Sequence, residues 1–298
     1  MSKLQLILNG DDLGRAACIN TAIVQAHIEG MLTSASLMVA EEAADDAVAK
    51  ARTCPSLAVG LHLVILDGKP AAPAGQIAHL LDRDGRFPRD PFRVGVRCFF
   101  SPVVRTELRR EFLAQFELFR STGLPLAHVD GHFLMHLHPT VFSILIPLAE
   151  EYGAPGMRLP RDDLGLALSL DSSRAAGKAV WAAVYAVLCR LALRRLRRSS
   201  LAYTDRVYGF LQTGRMHEGF VAGLVERIPP VVRSAELYFH PSTEPMGEPF
   251  GPNPGDLAAL LSPRVRQAIR EREAQLTTYA ALGSAGLGRE PCRGRSSS

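Results

Sequence analysis

The sequence predicts an α/β protein built around a parallel sheet. Strand-like and helix-like segments alternate along the chain, an order that requires helical crossovers between parallel strands. In chain order, the first five segments are LQLILN, INTAIVQAHIEG, LTSASLMV, EEAADDAVAKARTCP and LAVGLHLVI. A chain of 298 residues, 47% of them hydrophobic, can bury a full core as one large domain or two small ones.

The later elements follow the same alternation with less regular spacing. Residues 68–103 are rich in Pro, Gly and Arg, which predicts a long loop over one end of the fold. A helix is expected at about 103–121, with core residues at helical spacing: Leu108, Phe112, Phe116 and Phe119. The remaining expected elements are the strand LPLAHVD, a helix at roughly 139–152, strands at 156–160 and 235–241, and a flexible tail at 284–298.

Charge and cysteine content narrow the class of protein. The formal net charge of +4 is too small to predict nucleic-acid binding unless it is concentrated in one place. The five cysteines are scattered, without the close pairs of metal or redox motifs, and are expected to be reduced thiols: Cys18, Cys54, Cys98, Cys189 and Cys292. The N-terminus lacks the pattern of a signal peptide, so a cytoplasmic location is expected.

The stretch LILNGDDLG, residues 6–14, ends an apolar run on two adjacent carboxylates. Asn, Gly and Asp are common in turns, so a solvated strand end would account for them. Alternatively, α/β proteins bind ligands at the carboxyl ends of parallel strands. Asp11 and Asp12 would then divide the roles of general base and metal ligand.

The stretch HVDGHFLMHLHP concentrates histidines after a predicted strand. Four fall within eleven residues: His128, His132, His136 and His138. In an extended chain His128, Asp130 and His132 would face the same side, because side chains alternate along a strand. A cluster of this kind favours a metal site, although His136 and His138 are expected to be structural or loop residues.

A further histidine, His62, lies inside the apolar strand VGLHLVI, where a buried imidazole needs a partner. Together with Asp12 and His132, it would supply two nitrogens and one oxygen from three strand ends. Three protein ligands with open positions are typical of a catalytic metal site. Either zinc or magnesium suits this donor set.

Taken in order, eight motifs resemble the YdjC-like carbohydrate deacetylases and, within them, the hopanoid biosynthesis-associated deacetylases: NGDDLG, GMLTSASLMV, VGLHLVILDGKP, VRCFFSP, HVDGHFLMHLHP, MRLP, TDRVYGFLQTG and LYFHP. The resemblance spans residues 4 to about 281. It implies a distorted TIM-like β/α barrel, a single domain over residues 1–283, that hydrolyses an N-acetyl group from an amino sugar. The hopanoid subfamily implies an N-acetylglucosaminyl hopanoid glycolipid as the substrate.

The resemblance also implies roles for individual residues. Asp12, His62 and His132 match the ligands of one divalent metal ion. Asp11 matches the catalytic carboxylate, and His240 in LYFHP matches a late histidine of the family. The chain departs from many relatives at Phe133 and Leu134, where they carry further histidines.

The chemistry of amide hydrolysis suggests how the roles divide. Asp11 would take the proton from the attacking water, and His240 would protonate the leaving nitrogen. Asp130 would orient a liganding imidazole by accepting its other N–H. Arg158 would bind the sugar or hold Asp11, and a surface ion pair accounts for it equally well.

Residues 179–198, AVWAAVYAVLCRLALRRLRR, lie in an expected helical insertion at about 165–200. The charge-free part is about eleven residues, shorter than the ~20 that a bilayer span needs. Two interpretations remain open. The segment is a helix packed on the barrel with a solvated basic end, or it contacts anionic lipid at the inner membrane face.

Two other functions compete with deacetylation. A metal-dependent phosphoesterase would use the same ligands, although such enzymes often need a second metal. A noncatalytic, membrane-associated scaffold would have no use for the aspartates and histidines. The sequence does not indicate an oligomeric state.

Overall fold

The computed structural model describes residues 3–248 and 250–284. Its strands are β1 Gln5–Leu13, β2 Ser34–Leu37, β3 Ala58–Leu63, β4 Val129–Gly131, β5 Arg206–Tyr208, β6 Ser234–Phe239 and β7 Gln275–Leu276. The helices are α1 Ala17–Ile28, α2 Ala44–Arg52, α3 Pro91–Phe100, α4 Pro102–Ser121, α5 Pro139–Glu151, α6 Leu164–Leu170, α7 Ala175–Leu196, α8 Glu218–Arg227, α9 Pro254–Leu261, α10 Pro263–Glu271 and α11 Tyr279–Ser284. The expected tail lies outside the described residues, except for Ser284, which ends α11.

The strands form one curved parallel sheet in the order β4-β3-β2-β1-β6-β5, and β7 also pairs with β1. Two isolated bridges, Val129 to Met157 and Gly156 to Ala202, extend the sheet beyond β4 towards the segment that leads into β5. The sheet therefore curls into a TIM-like half-barrel with helices around it. The α/β, TIM-like prediction is confirmed, and the carboxyl ends of the strands meet at one edge.

Three of the expected elements differ in the structure, and one of them is the strand LPLAHVD, of which only Val129 and Asp130 lie in β4. The prediction of a long loop at 68–103 is wrong in its last part, because α3 begins at Pro91 after Asp90, whose carboxylate accepts hydrogen bonds from the amides of Phe92 and Arg93. An acidic cap followed by proline is a common helix start. The expected strand at 156–160 is reduced to the isolated bridges of Gly156 and Met157.

The expected helical insertion contains α6 and α7. One stripe of α7 packs on the protein through Cys189, Ala192 and Leu196, which are buried. Lys178 anchors the start of the helix by donating to the carbonyl oxygen of Asp171 and to Gln212. Among the described residues, α7 is the one helix long and apolar enough to cross a membrane, although a helix of a soluble protein can have the same length and composition.

Candidate active site

Strand β1 delivers both adjacent carboxylates to one cluster of side chains. In a regular strand, neighbouring side chains point to opposite faces. The pairing of β1 with β2 shifts between Gly10 and Leu13, and Asp12 has a left-handed backbone with a φ of 64°. This break in the alternation lets Asp11 and Asp12 serve the same site. Aspartate is among the few residues that adopt this conformation readily.

Asp12, His62 and His132 meet as a group of three buried donors. The Oδ1 atom of Asp12 lies 3.0 Å from Nδ1 of His132 and 3.5 Å from Nε2 of His62. One potential ligand atom from each residue lies within 4.8 Å of the other two. The other oxygen of Asp12 lies 3.3 Å from the guanidinium of Arg15, which also pairs with Glu248.

The hydrogen bonding of this group fits a metal cation. Among the described residues, Asp12 Oδ1 and His132 Nε2 are buried and have no hydrogen-bond partner. Buried polar atoms are nearly always satisfied, so two unsatisfied atoms in one cluster indicate a missing partner. A divalent ion would satisfy both, and three protein donors would leave positions for water and substrate.

The charges in this group also favour a cation. Burial alone would raise the pKa of Asp12, but its attraction to His132 and the close approach of the His132 and His62 ring nitrogens hold that pKa well below the usual value. Burial alone would lower the pKa of His62, but Asp130 and Asp12 raise it to about 10. The carboxylates therefore create a strongly negative environment around these imidazoles.

Asp130 contacts His62 in the way that an orienting carboxylate requires. Strands β3 and β4 place the two residues opposite each other. His62 donates from Nδ1 to Asp130 Oδ1 at 2.7 Å, which leaves Nε2 directed to Asp12. The second oxygen of Asp130 accepts from Ser36 at 2.8 Å and pairs with Arg158 at 2.9 Å. A carboxylate behind a liganding histidine fixes its tautomer and ring orientation.

Arg158 is wholly buried and binds three carboxylates. Its two terminal nitrogens donate to the two oxygens of Asp11, each at 2.7 Å. It also lies 2.9 Å from Asp130 and 2.7 Å from Glu236. The structure places Arg158 on Asp11, and the alternative of a surface ion pair is wrong because the side chain is 0% exposed. A contact between Arg158 and a sugar stays a prediction.

Glu236 and Tyr279 complete this buried network, and the sequence analysis missed both. The hydroxyl of Tyr279 donates to Glu236, and burial is the main cause that raises the pKa of Glu236. The signal available for Glu236 was an acidic residue inside the otherwise apolar strand AELYF. A buried charge of this kind needs a partner, and Arg158 provides it.

His240 follows β6 at the edge of the cluster. Its Nε2 atom lies 4.0 Å from Asp11 Oδ2, and its side chain is 13% exposed. Its backbone N–H donates to Asp256 at 2.9 Å, which fixes the chain at this point. His240 is therefore within one short movement of Asp11 and is more accessible than the three donor residues.

The neighbouring histidines have structural contacts. His128 stacks on Tyr279, and burial lowers its pKa to about 4. Its ring fits only because residue 60 is glycine, since an added Cβ there would lie 2.3 Å from the imidazole. His136 donates to the carbonyl oxygen of Arg158 at 3.1 Å, and burial lowers its pKa to about 4 as well. His138 is partly buried beside Phe99.

The turn after β4 has an unusual backbone. Phe133 and Leu134 have φ angles of 51° and 55°, which are uncommon for residues other than glycine. The ring of Phe133 lies 4.3 Å from that of His132 and is 49% exposed. Phe133 and Leu134 thus turn the chain beside a donor residue, and Phe133 presents an aromatic ring at the rim of the site.

A second group of potential ligands, Asp11, His62 and Asp130, shares His62 with the first. Arg158 is bonded to both of its carboxylates. A cation there would meet an existing positive charge, so the geometry favours one metal position over two.

Comparisons with known proteins agree with this geometry. Residues 5–271 match the family described as YdjC-like protein. A carbohydrate deacetylase of Brevibacillus brevis is 38% identical over 170 residues, which cover 55% of this chain and 65% of that protein. The first relatives of this kind are thus matched over about half to two thirds of their length. A carbohydrate deacetylase of Vibrio cholerae is 28% identical over 95% of this chain and 98% of its own.

Among solved structures, one from Enterococcus faecalis described as a putative cellobiose-phosphate cleavage protein matches with a TM-score of 0.71. It is 22% identical, and the match covers 94% of this chain and 99% of that one. This likeness supports the fold.

Proposed function

The chain belongs to the YdjC-like family, and from that premise and the geometry of the site we propose that it is a metal-dependent hydrolase that removes an N-acetyl group from an amino sugar. The observation that carries the proposal is the buried group Asp12, His62 and His132, with its two unsatisfied ligand atoms. The curated relatives named carbohydrate deacetylases support the substrate class.

Asp12, His62 and His132 would hold the ion, and their donor set suits zinc or magnesium. A bound ion would lower the pKa of a water molecule towards ~7 and polarise the acetamide carbonyl. Asp130 holds His62 through its Nδ1 hydrogen, so that the other ring nitrogen stays free to bind the ion.

Asp11 acts as the general base. Both of its oxygens accept from Arg158, and this two-point contact fixes the direction of the carboxylate. Oδ1 accepts from both Arg158 and Asn9, whereas Oδ2 accepts from Arg158 and keeps a second lone pair, so Asp11 can take a proton from the attacking water at Oδ2 while it remains bound. Asn9 also donates to Asp11 at 2.7 Å, which restricts its rotation further.

His240 donates the proton to the leaving nitrogen. An amine leaves poorly without protonation, so the step needs a proton donor beside the scissile bond. The Nε2 atom of His240 lies 4.0 Å from Asp11 Oδ2, which supports a pair of groups that act on the same scissile bond.

The finer part of the proposal concerns the substrate and its location. The hopanoid subfamily resemblance favours an N-acetylglucosaminyl glycolipid, whose sugar would stand at the surface of a membrane. The enzyme would then work in the cytoplasm, in peripheral contact with the inner membrane face through about residues 179–198.

The deciding experiment is to incubate the metal-loaded protein with soluble chito-oligosaccharides and with N-acetylated amino-sugar glycolipids, and to measure free acetate. We expect acetate from at least one substrate class and none after chelation of the metal. Release of phosphate from phosphate esters without acetate from any acetamide would replace the proposal with the phosphoesterase. No hydrolysis of either kind by a metal-loaded protein would favour the noncatalytic scaffold.

A further inference from the structure

One exposed face of α7 is apolar over most of its length. Val180, Val184, Val187 and Leu191 follow one another at helical spacing, and Trp181 lies beside them. Each of these five side chains is 42–63% exposed. We call this set the α7 stripe. It lies away from the buried stripe of the same helix. One apolar face of α7 therefore packs on the rest of the protein, and the other has no partner among the described residues.

The α7 stripe continues into positive charge. Arg194, Arg195 and Arg198 occupy the next positions on the same face, and Arg190 and Arg197 flank them. No acidic residue occurs between residues 175 and 198. Among the described residues, neither Arg194 nor Arg198 has a hydrogen-bond or ion-pair partner, whereas the side chain of Arg195 donates to the carbonyl oxygen of Pro139.

Four of these five arginines border a cavity of about 540 Å³ between α5 and the end of α7. Its lining includes Phe142 and Leu191 together with Arg194, Arg195, Arg197 and Arg198. A cavity with apolar walls and several guanidinium groups matches a molecule that has a phosphate beside a hydrocarbon chain. We call it the arginine cavity.

We propose that the α7 stripe and the arginine cavity form a docking surface for a bilayer of anionic phospholipid, with a lipid phosphate held in the cavity. Apolar and aromatic side chains beside a basic cluster are typical of helices that lie in the membrane interface. A second copy of this chain is a poorer occupant, because the same segment would bring five more arginines and no acidic residue to the contact.

The docking surface is joined to the candidate active site through one short segment. The turn after β4 begins with the metal-site donor His132 and ends with Leu137, which lines the arginine cavity. This inference rests on the proposed function in one respect. If the substrate is a sugar carried on a lipid, the same contact with the membrane would present that sugar near the metal group.

Trp181 makes the proposal directly measurable, because it is the only tryptophan in the chain. The full-length, metal-loaded protein is titrated at low salt with vesicles of phosphatidylglycerol and, separately, of phosphatidylcholine. We expect tryptophan emission to shift to shorter wavelength with phosphatidylglycerol only. The shift should weaken as salt rises, since 1 M salt reduces the screening length to about 3 Å.

Two matched variants distinguish the effect of the docking surface on vesicle binding from the effect of net charge. The test variant replaces Arg190, Arg194, Arg195, Arg197 and Arg198 with Gln, and the control replaces five exposed arginines elsewhere, Arg83, Arg109, Arg227, Arg264 and Arg270. Each lowers the formal charge by five, from +4 to −1. The test variant should bind phosphatidylglycerol on the order of 100-fold more weakly or worse, while the control stays within a few-fold of wild type.

Three outcomes would overturn the docking surface: no emission shift in the wild type, equal weakening in both variants, or an emission shift that depends on protein concentration without vesicles. The last outcome would mean that a second copy covers the stripe. Hydrolysis of soluble chito-oligosaccharides is measured in parallel and should be unchanged in both variants. Vesicle binding without any hydrolysis would defeat the proposed function alone, and hydrolysis without vesicle binding would defeat the docking surface alone.

Discussion

The two arginine-rich regions of this protein have opposite surroundings. Around Arg158, a wholly buried guanidinium is surrounded by the carboxylates of Asp11, Asp130 and Glu236. At the end of α7, exposed arginines stand beside exposed apolar side chains. The buried charges are satisfied within the chain except where a metal would bind, whereas we propose that the exposed ones bind a partner outside it. Substitutions in the first region should therefore change catalysis and stability, and those in the second should change association.

The largest expected effect follows from removal of a metal ligand. Asp12→Ala, His62→Ala and His132→Ala should each lose bound metal and hydrolytic activity together, because three ligands leave little redundancy. Metal content after purification and acetate release measure the two losses. His136→Gln, in the same turn as His132 but outside the donor group, is the matched control and should retain metal. Full metal occupancy in any one ligand variant would remove that residue from the site.

Next in size is the loss of the buried guanidinium. Arg158→Met leaves three buried carboxylates without their cation and should lower the free energy of unfolding by about 3–5 kcal/mol, as measured in urea. Adding Glu236→Gln removes one of the unpaired charges and should recover part of the loss. If Arg158→Met is as stable as wild type, the network does not hold the site together.

A smaller loss is expected when the base alone is changed. Asp11→Asn retains the shape of the side chain and all three metal ligands, so metal content should stay near wild type while turnover falls roughly 10²-fold or more. The comparison of metal content with the rate of acetate release distinguishes this variant from the ligand variants. Near-normal turnover would show that another group takes the proton.

The pH dependence of stability offers a subtler comparison. His136 has a pKa of about 4 in the folded protein, below the ordinary value of 6.5, because burial disfavours its charged form. The contribution of neutral His136 to the free energy of unfolding is therefore fully present above about pH 6.5 and is lost as the pH falls towards 4. In metal-free protein, His136→Gln should reduce the loss of unfolding free energy across this range, by at most about 1.4 kcal/mol per pH unit. An unchanged slope would mean that His136 does not titrate differently in the two states.

The smallest effect is expected on the exposed face of α7. Val187→Ala changes a side chain that is 56% exposed and should alter the unfolding free energy by less than about 0.5 kcal/mol. Leu196→Ala, on the buried face of the same helix, should cost about 2–5 kcal/mol. Equal costs in urea unfolding would show that the exposed stripe is already covered in solution.

Structural features that follow from patterns over a few neighbouring residues could be predicted from the sequence. Helical spacing identified α4 and its four core residues, all of which are buried. Strand ends and period-two spacing drew attention to Asp12, His62 and Asp130, because parallel strands bring their carboxyl ends to one edge. The start of α3 could also have been predicted, because Asp90 followed by Pro91 is a common helix start. The composition of the surrounding segment suggested a loop instead.

What could not be predicted depends on distances between residues far apart in the chain. Arg158 reaches Asp11 across 147 positions, and Glu236 lies 78 positions further on. No periodicity encodes those contacts. The turn at Phe133 and Leu134 was also invisible, because their left-handed backbone is imposed by the surrounding structure against the preference of both residues.

The left-handed backbone of Asp12 affects what the presence of an aspartate at this position in related sequences indicates. Two separate demands select the amino acid here, because the metal requires a carboxylate and the φ of 64° favours Asp, Asn or Gly. A descendant that had lost its metal would still be under pressure to keep one of these residues. His62 lies in β3 and His132 begins the turn after β4, and neither has a left-handed backbone, so many residues would fit at both positions once ligation ceased to matter. Loss of either imidazole would therefore be the earlier sign, in a gene lineage, that hydrolysis had been abandoned.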